Sequence, residues 1–262
     1  MENRPNVFER MKQGETVLGT VITLNDPIVT EALCNLYDFL WIDTEHNPFP
    51  LDVVQGHLLA AKGTGVTVLV RVAWNDPVLI KSVLDIGAHG VIVPMVSTVE
   101  DVKRAVAACR YPPEGIRGYG PRRPSNYGRL GGPDFCKAAN DAMLTVVQIE
   151  LADAVTNIEG IVRVAGLSGV LIGSNDLSGS LGVMGQPRHP KVLSAIDTVI
   201  AAARQVNMPV GIAVGEDVAV LKEWIDKGIN WVTGGGDTSL MLRAADQVTS
   251  QLRAHVRAGS AS

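Results

Sequence analysis

The chain has 262 residues, close to the roughly 250 of one (β/α)₈ barrel, although the length also permits two small domains. Hydrophobic residues make up 46%, enough for a large core and too many for a disordered chain. The net charge is −4, with no long run of Lys and Arg, which argues against nucleic acid as the main partner.

The opening MENRPNVFERMKQGE is polar and charged, so no secretion signal is expected. The apolar stretches further on are strand-length, so no membrane span is expected either. TVLGTVITL (16–24) predicts the first strand, followed by a helix in DPIVTEALCNL with Asp26 as N-cap and Pro27 at the first helical position. FLWIDTE (39–45) is the second strand and TVLVRVA (67–73) the third. DPVLIKSVLDIGA then repeats the Asp–Pro start at Asp76 and Pro77. GVIVPMV (90–96) is the fourth strand, and STVEDVKRAVAACR opens on a capping-box pattern from Ser97 to Glu100. An irregular stretch rich in Gly, Pro and Arg runs from about Tyr111 to Pro133; loops of that length are usually functional or disordered. LTVVQIE (144–150), GVLIGSND (169–176), PVGIAV (209–214) and NWVTGG (230–235) are the last four strands. Their helices are DAVTNIEGIVRVA, HPKVLSAIDTVIAAARQV, GEDVAVLKEWIDKG and DTSLMLRAADQVTSQLRAHV, and residues 258–262 read as a loose tail. Cys34, Cys109 and Cys136 fall in helix-like segments without metal-type spacing. They read as small core residues of a protein in a reducing cytoplasm.

Near-continuous apolar strands are buried on both faces, as in a parallel sheet. Eight alternations of strand and helix give a barrel or a doubly wound sheet. The absence of a Gly-rich dinucleotide fingerprint favours the barrel. No composition shift marks a boundary, so one domain over 1–262 is expected.

In such a barrel the chemistry sits at the C-terminal ends of the strands. Strand two ends in Asp43, Glu45 and His46, strand three carries Arg71, strand five carries Gln148 and ends at Glu150, and strand six ends at Asp176. Packing does not explain apolar strands that finish repeatedly in charge at one face. By the period of two, Gln148 and Glu150 point into the mouth while Ile149 faces the helices. Glu150 and Asp176 lie one βα unit apart, and neighbouring strands are about 4.8 Å apart. Two bare carboxylates that close repel unless a cation sits between them. Oxygen ligands without cysteine select a hard ion such as Mg²⁺ or Mn²⁺; the alternative is two separate, solvated acids. Arg71 is costly in a buried strand unless paired. It reads either as a structural partner of Asp43 or Glu45 or as an anchor for a substrate oxyanion. His46, beside two acids, is a candidate general base, whereas His57, His89, His189 and His255 read as structural or surface residues. Lys12, Lys62, Lys81, Lys103, Lys137, Lys191, Lys222 and Lys227 all fall outside the strands. That disfavours a Schiff-base mechanism.

The segments DFLWIDTEHNPF, VRVAWNDPVLIKSVLDIGAHGVIVPMV, RYPPEGIRGYG, VVQIE and LIGSNDLSGSLG resemble those of the HpcH/HpaI aldolase family, the metal-dependent pyruvate aldolases. The likeness runs nearly the whole chain. It implies a (β/α)₈ barrel that cleaves 4-hydroxy-2-oxo acids to pyruvate and an aldehyde, or runs the reverse. It implies a divalent metal (Mg²⁺, Mn²⁺ or Co²⁺) on Glu150 and Asp176, His46 as general base and Arg71 as the stabiliser of the enolate oxyanion. Gln148, Ser174 and Asn175 would bind substrate. Asp85 matches an acid that tunes the catalytic histidine. The sequence places it near a helix C-terminus, at the far barrel face, where it serves only a neighbouring subunit's site. The resemblance further implies a homo-oligomer, a hexamer built as a trimer of dimers, with the last helix (about 237–258) packed on a neighbour.

The chain departs from the family at Thr44, where Gly is frequent, and at Ser174, where Pro is frequent. The loop YGPRRPSNYGR departs further, and Arg122 and Arg123 in it are either recognisers of an acidic acceptor or solvated loop charges. Two other readings stay open: an oxaloacetate-using decarboxylase or condensing lyase of the same family, and a barrel that binds a small acid without turnover.

Overall fold

The computed structural model describes residues 7–259. Among them eight strands close a parallel barrel in sequence order: β1 Val17–Ile22, β2 Phe39–Asp43, β3 Thr67–Arg71, β4 Gly90–Val93, β5 Leu144–Ile149, β6 Gly169–Ile172, β7 Val210–Ala213 and β8 Trp231–Gly236. Helices connect and follow them: α1 Val7–Lys12, α2 Pro27–Leu33, α3 Leu51–Ala60, α4 Pro77–Asp85, α5 Val99–Cys109, α6 Gly132–Ala142, α7 Ala152–Thr156, α8 Ile158–Ile161, α9 Ser174–Ser180, α10 Pro190–Gln205, α11 Val218–Asp226 and α12 Asp237–Gly259. The expected (β/α)₈ barrel is the fold observed.

The alternation of strand side chains makes two cores. Leu40, Ile42, Val68, Val70, Val91, Val147, Ile149, Val170 and Ile172 face outward and pack with helix residues such as Val54, Leu58, Ile80, Val83, Ile196 and Val199. The opposite parity (Phe39, Trp41, Leu69, Ile92, Leu144, Val146, Leu171, Trp231) fills the lumen together with Val7, Phe8 and Met11 of α1. Phe8 and Phe39 meet Trp231 edge-on, at centroid distances of 5.4 and 5.3 Å. α1 therefore plugs the N-terminal end of the barrel, and the lumen is open to chemistry only at the other end. There the lumen parity continues into Asp43, Arg71, Gln148 and Glu150.

Helix starts follow the local chemistry. Asp26 and Asp76 cap α2 and α4, each with Pro in the first turn. The capping box of α5 is Thr98 with Asp101, one residue beyond the expected Ser97 and Glu100. The fit of both side chains to backbone N–H groups selects that register. The single helix expected in DAVTNIEGIVRVA is broken at Asn157 into α7 and α8. The most consequential difference is at strand six. The strand stops at Ile172, and Ser174–Ser180 turns into α9, so Asp176 sits in a helical first turn instead of on a strand. Part of the expected tail, residues 258–259, is helical as the end of α12. Residues 260–262 and the first six residues of the polar N-terminus lie outside the described residues. The three cysteines are free thiols: Cys34 and Cys109 are buried and Cys136 is half-buried. Among the described residues no helix is long and apolar enough to cross a membrane.

Candidate active site

The mouth is organised around a buried ion pair. The register sets Asp43 of β2 opposite Arg71 of β3, and both side chains point into the lumen. Arg71 binds Asp43 through both ends of its fork, Nε to Oδ1 at 2.9 Å and Nη2 to Oδ2 at 2.8 Å, and stacks 5.0 Å above the Trp41 ring. Its Nη1 donates to Gln148 Oε1 at 3.3 Å and lies 3.1 Å from Glu45 Oε2. Arg71, expected to pair with Asp43 or Glu45 if structural, faces both acids. Hydrogen bonds to Asp43 and Gln148 use three of its five N–H donors, and Nη1 also faces Glu45. Asp43 also shapes the loop after β2. Its Oδ1 accepts from Glu45 N at 3.1 Å and His46 N at 3.5 Å, and its Oδ2 accepts from Asn47 Nδ2 at 3.0 Å. Thr44 donates to the Arg71 carbonyl from its hydroxyl at 2.6 Å and from its N–H at 3.0 Å, a tether that glycine's missing hydroxyl would not provide.

Glu150 lies one residue past β5 and is 1% exposed. Its Oε1 accepts the Met95 N–H at 2.6 Å, and its Oε2 accepts a hydrogen bond from Gln148 Nε2. Burial pushes its carboxyl up to about 7; the Met95 N–H opposes this, the neighbouring Glu45 and Asp176 add to it, and the Gln148 bond opposes it. Glu45 is raised for the same first reason, burial, which Arg71 opposes and Asp43 and Asp176 reinforce. Its Oε2 is buried without a well-directed hydrogen bond. Four carboxylates, Asp43, Glu45, Glu150 and Asp176, therefore share this mouth with the one buried guanidinium of Arg71. His46 stands at the rim, its side chain 63% exposed and its Nε2 3.8 Å from Glu45 Oε2.

The structure brings together Arg71, Gln148, Glu150, Asp176 and His46. Gln148 is committed at both ends of its amide, bridging Arg71 to Glu150. Ser174 is buried as the first residue of α9 and Asn175 is exposed beside Asp176. The first helical turn accepts Pro readily, so a family Pro and this Ser occupy the same kind of position. Asp85 is not with this group. It ends α4 at the opposite barrel face and pairs with buried Arg117, Nη2 to Oδ1 at 2.8 Å. The loop of Arg122 and Arg123 lies on that far face too. Arg123 donates to the carbonyl oxygens of Ile86 at 2.7 Å and Leu58 at 3.4 Å, closing the C-terminal ends of α4 and α3, and Arg122 is exposed. Neither arginine reaches the mouth of its own barrel. Glu45, Met95 and Gly173 shape the site without having been assigned a role from the sequence. Glu45 was visible as a strand-end acid, but nothing in the sequence marks a methionine or a glycine as part of such a site.

Residues 21–244 match the family model for HpcH/HpaI aldolase/citrate lyase. The chain belongs to the HpcH/HpaI aldolase/citrate lyase family. It is an aldolase, a carbon–carbon lyase. The aldolase is 38% identical over 261 residues, 98% of both chains, to the 4-hydroxy-2-oxo-heptane-1,7-dioate aldolase of Salmonella paratyphi B. Among solved structures it superposes at TM-score 0.90 and 32% identity on an HpcH/HpaI aldolase/citrate lyase family protein from Burkholderia cenocepacia, covering 95% of this chain and 100% of that one. It also superposes on citrate synthase SbnG at TM-score 0.83 and 28% identity, covering 95% and 99%. Proteins similar to this barrel carry the names of an aldolase and of a citrate synthase, so the fold alone does not choose between such reactions.

Proposed function

We propose that the aldolase cleaves or forms 4-hydroxy-2-oxo acids, with pyruvate and an aldehyde as the products of cleavage, using a divalent cation held by Glu150 and Asp176. The observation that carries this reading is the excess of carboxylates in the mouth. Glu150 is buried, raised to about 7 and coupled to Glu45 and Asp176, an arrangement that a divalent cation relieves. Among the described residues no cluster of three or more His, Cys, Asp or Glu is placed to hold a metal. The ion would rest on two protein oxygens and take its other ligands from substrate and water, as hard ions such as Mg²⁺, Mn²⁺ or Co²⁺ do. When bound, it would polarise the keto group of a 2-oxo acid.

The chain's own groups supply the rest. Arg71, locked by Asp43, Gln148 and the Trp41 ring, presents fixed positive charge where negative charge develops on the C2 oxygen. An arginine held in place before substrate arrives has no reorganisation left to make. His46, at the rim next to Glu45, takes and returns the proton of the C4 hydroxyl. Gln148 keeps Arg71 and Glu150 in fixed relation; Ser174 and Asn175 at the start of α9 bound the substrate pocket beside Asp176. Asp85 acts on a histidine only in a neighbouring subunit. Several large apolar side chains of α12 are exposed, Met241, Leu242, Val248, Leu252 and Val256, which supports its packing on a neighbour in a hexamer. We place the protein in the cytoplasm, as a single barrel domain acting on small molecules.

The test is product analysis with 4-hydroxy-2-oxoheptane-1,7-dioate, the compound for which the curated relatives are named. Release of pyruvate and an aldehyde, abolished by chelator and restored by Mg²⁺ or Mn²⁺, is expected. The oxaloacetate reading is kept by the likeness to citrate synthase, but Arg122 and Arg123, which would suit a substrate with a second carboxylate, lie at the far face. Turnover of oxaloacetate with no cleavage of the hydroxy-oxo acid would make it the better reading.

A further inference from the structure

Glu150 is fixed from both neighbouring strands, and by different means. On the β4 side, Met95 follows Val93 and Pro94 with φ of +57°. An L-residue pays for the left-handed region, and Asn escapes part of that cost through its short polar side chain. Asn126 and Asn207 are positive-φ residues of this kind; Met95 has no such compensation. What its backbone gains is direction. With the chain turned in this way, the Met95 N–H points across the barrel rim at Glu150 Oε1, 2.6 Å away. Strain kept at a rim position and spent on one carboxylate oxygen is a mark of a functional site.

On the β6 side, Ile149 pairs with Ile172, so the next residues, Glu150 and Gly173, lie side by side. Gly173 has φ −94° and ψ 82°, which does not demand glycine. The demand is for space. A Cβ on Gly173 would lie 2.9 Å from Glu150 Oε2, 2.9 Å from Gln148 Nε2 and 3.0 Å from Glu150 Cβ. Any side chain would push the Gln148–Glu150 pair aside and, through Gln148 Oε1, disturb Arg71 at 3.3 Å. Each carboxylate oxygen has about two acceptor directions, so with one used by Met95 N–H and one by Gln148, both oxygens of Glu150 keep an open direction for a cation.

Building on the reading of Glu150 as a metal ligand, we infer that the Met95 peptide and the empty space at Gly173 are positioning devices that hold the Glu150 carboxylate ready for a divalent cation. Outer contacts of this kind set ligand orientation and are worth roughly 10–100-fold in metal affinity.

The experiment is Mn²⁺ binding to metal-free full-length protein, followed by electron paramagnetic resonance and calorimetry, with circular dichroism to check the fold. Gly173→Ala and Met95→Val, the latter β-branched and averse to positive φ, are each expected to weaken Mn²⁺ binding at least about tenfold with unchanged secondary structure. Met95→Gly, which keeps the N–H and accepts the conformation, is expected to bind within threefold of wild type (about the noise of such comparisons). Raising Mn²⁺ should restore the turnover of Gly173→Ala, which a general packing defect would not allow. If Glu150→Gln loses Mn²⁺ while Gly173→Ala and Met95→Val bind as wild type does, the positioning inference is overturned and the ligand reading stands. If Met95→Gly is as weak as Met95→Val, the side chain and not the peptide matters, and the Met95 half is overturned. If Glu150→Gln itself binds Mn²⁺ as tightly as wild type, the ligand reading falls and takes the inference with it. Should Met95→Val fail to fold, Gly173→Ala alone decides.

Discussion

The two ends of the barrel treat charge in opposite ways. At the N-terminal end, α1 fills the lumen and cations meet partners. Arg10 binds Asp38 at 2.8 Å and Glu15 at 2.9 Å, Arg117 binds Asp85, and Arg123 binds helix-end carbonyls. At the C-terminal end, Arg71 is shared between Asp43 and Glu45, and Glu150 and Asp176 crowd the same space with an exposed histidine at the rim. The first arrangement is what stability requires. The second is unfavourable for the isolated fold, and this mismatch supports the proposal that a cation and an anionic substrate complete the site there.

Substitutions at the two ends should therefore fail differently. The largest effect is expected from Asp176→Asn: turnover falls by about a thousandfold or more, the equivalent of losing several kcal/mol of charge stabilisation, while the unfolding midpoint of the metal-free protein holds or rises. A midpoint that drops together with activity would make Asp176 structural. Arg71→Lys comes next, with a loss of about a hundredfold in turnover, because an ammonium cannot span Asp43 and Gln148 as the planar fork does; wild-type rates would return Arg71 to a purely structural role. At the other end, Asp85→Ala should cost about 1–3 kcal/mol of stability by leaving Arg117 buried without its carboxylate, measured by denaturant unfolding. A fall in turnover with no loss of stability would instead place Asp85 at a neighbour's site. The smallest effect is a pH dependence. His57 is fully buried and is held below its usual 6.5 first by burial, which Asp237 opposes, with its Nδ1 2.8 Å from the Thr30 hydroxyl. A histidine depressed in the fold favours the native state fully above the unfolded value, and that contribution is lost as pH falls below about 6.5. Stability should decline over that range in the wild type and less steeply in His57→Asn.

The same contrast governs what the sequence could reveal. All eight strands were legible, because runs of Val and Ile buried on both faces leave no other reading. So was the mouth, because Asp43, Arg71, Gln148 and Glu150 share the lumen parity. The errors gather where strands hand over to loops. In each of the first seven strands the apolar run extends one to four residues past the observed C-terminal end. Beyond the last ladder hydrogen bond the backbone turns to build the rim, which is how Asp176 comes to lie in a helix. α3 was not anticipated: it starts after Pro50, which makes no side-chain cap bond, and carries Gly56 inside it. Met95 and Gly173 were invisible for a different reason. One acts through a backbone N–H and the other through the absence of a side chain, and neither leaves a chemical signature in the one-letter code.

The measurement that tests the central claim most directly is exchange of the pyruvate methyl protons in D₂O, followed by NMR with Mg²⁺ or Mn²⁺, with chelator, and in Glu150→Gln. It needs no knowledge of the aldehyde. Exchange that requires the metal and disappears in both the chelated protein and the variant is the expected result. Exchange that persists at the wild-type rate in Glu150→Gln, or that is absent from the wild type with every divalent ion, would contradict the assignment of enolate chemistry to this mouth.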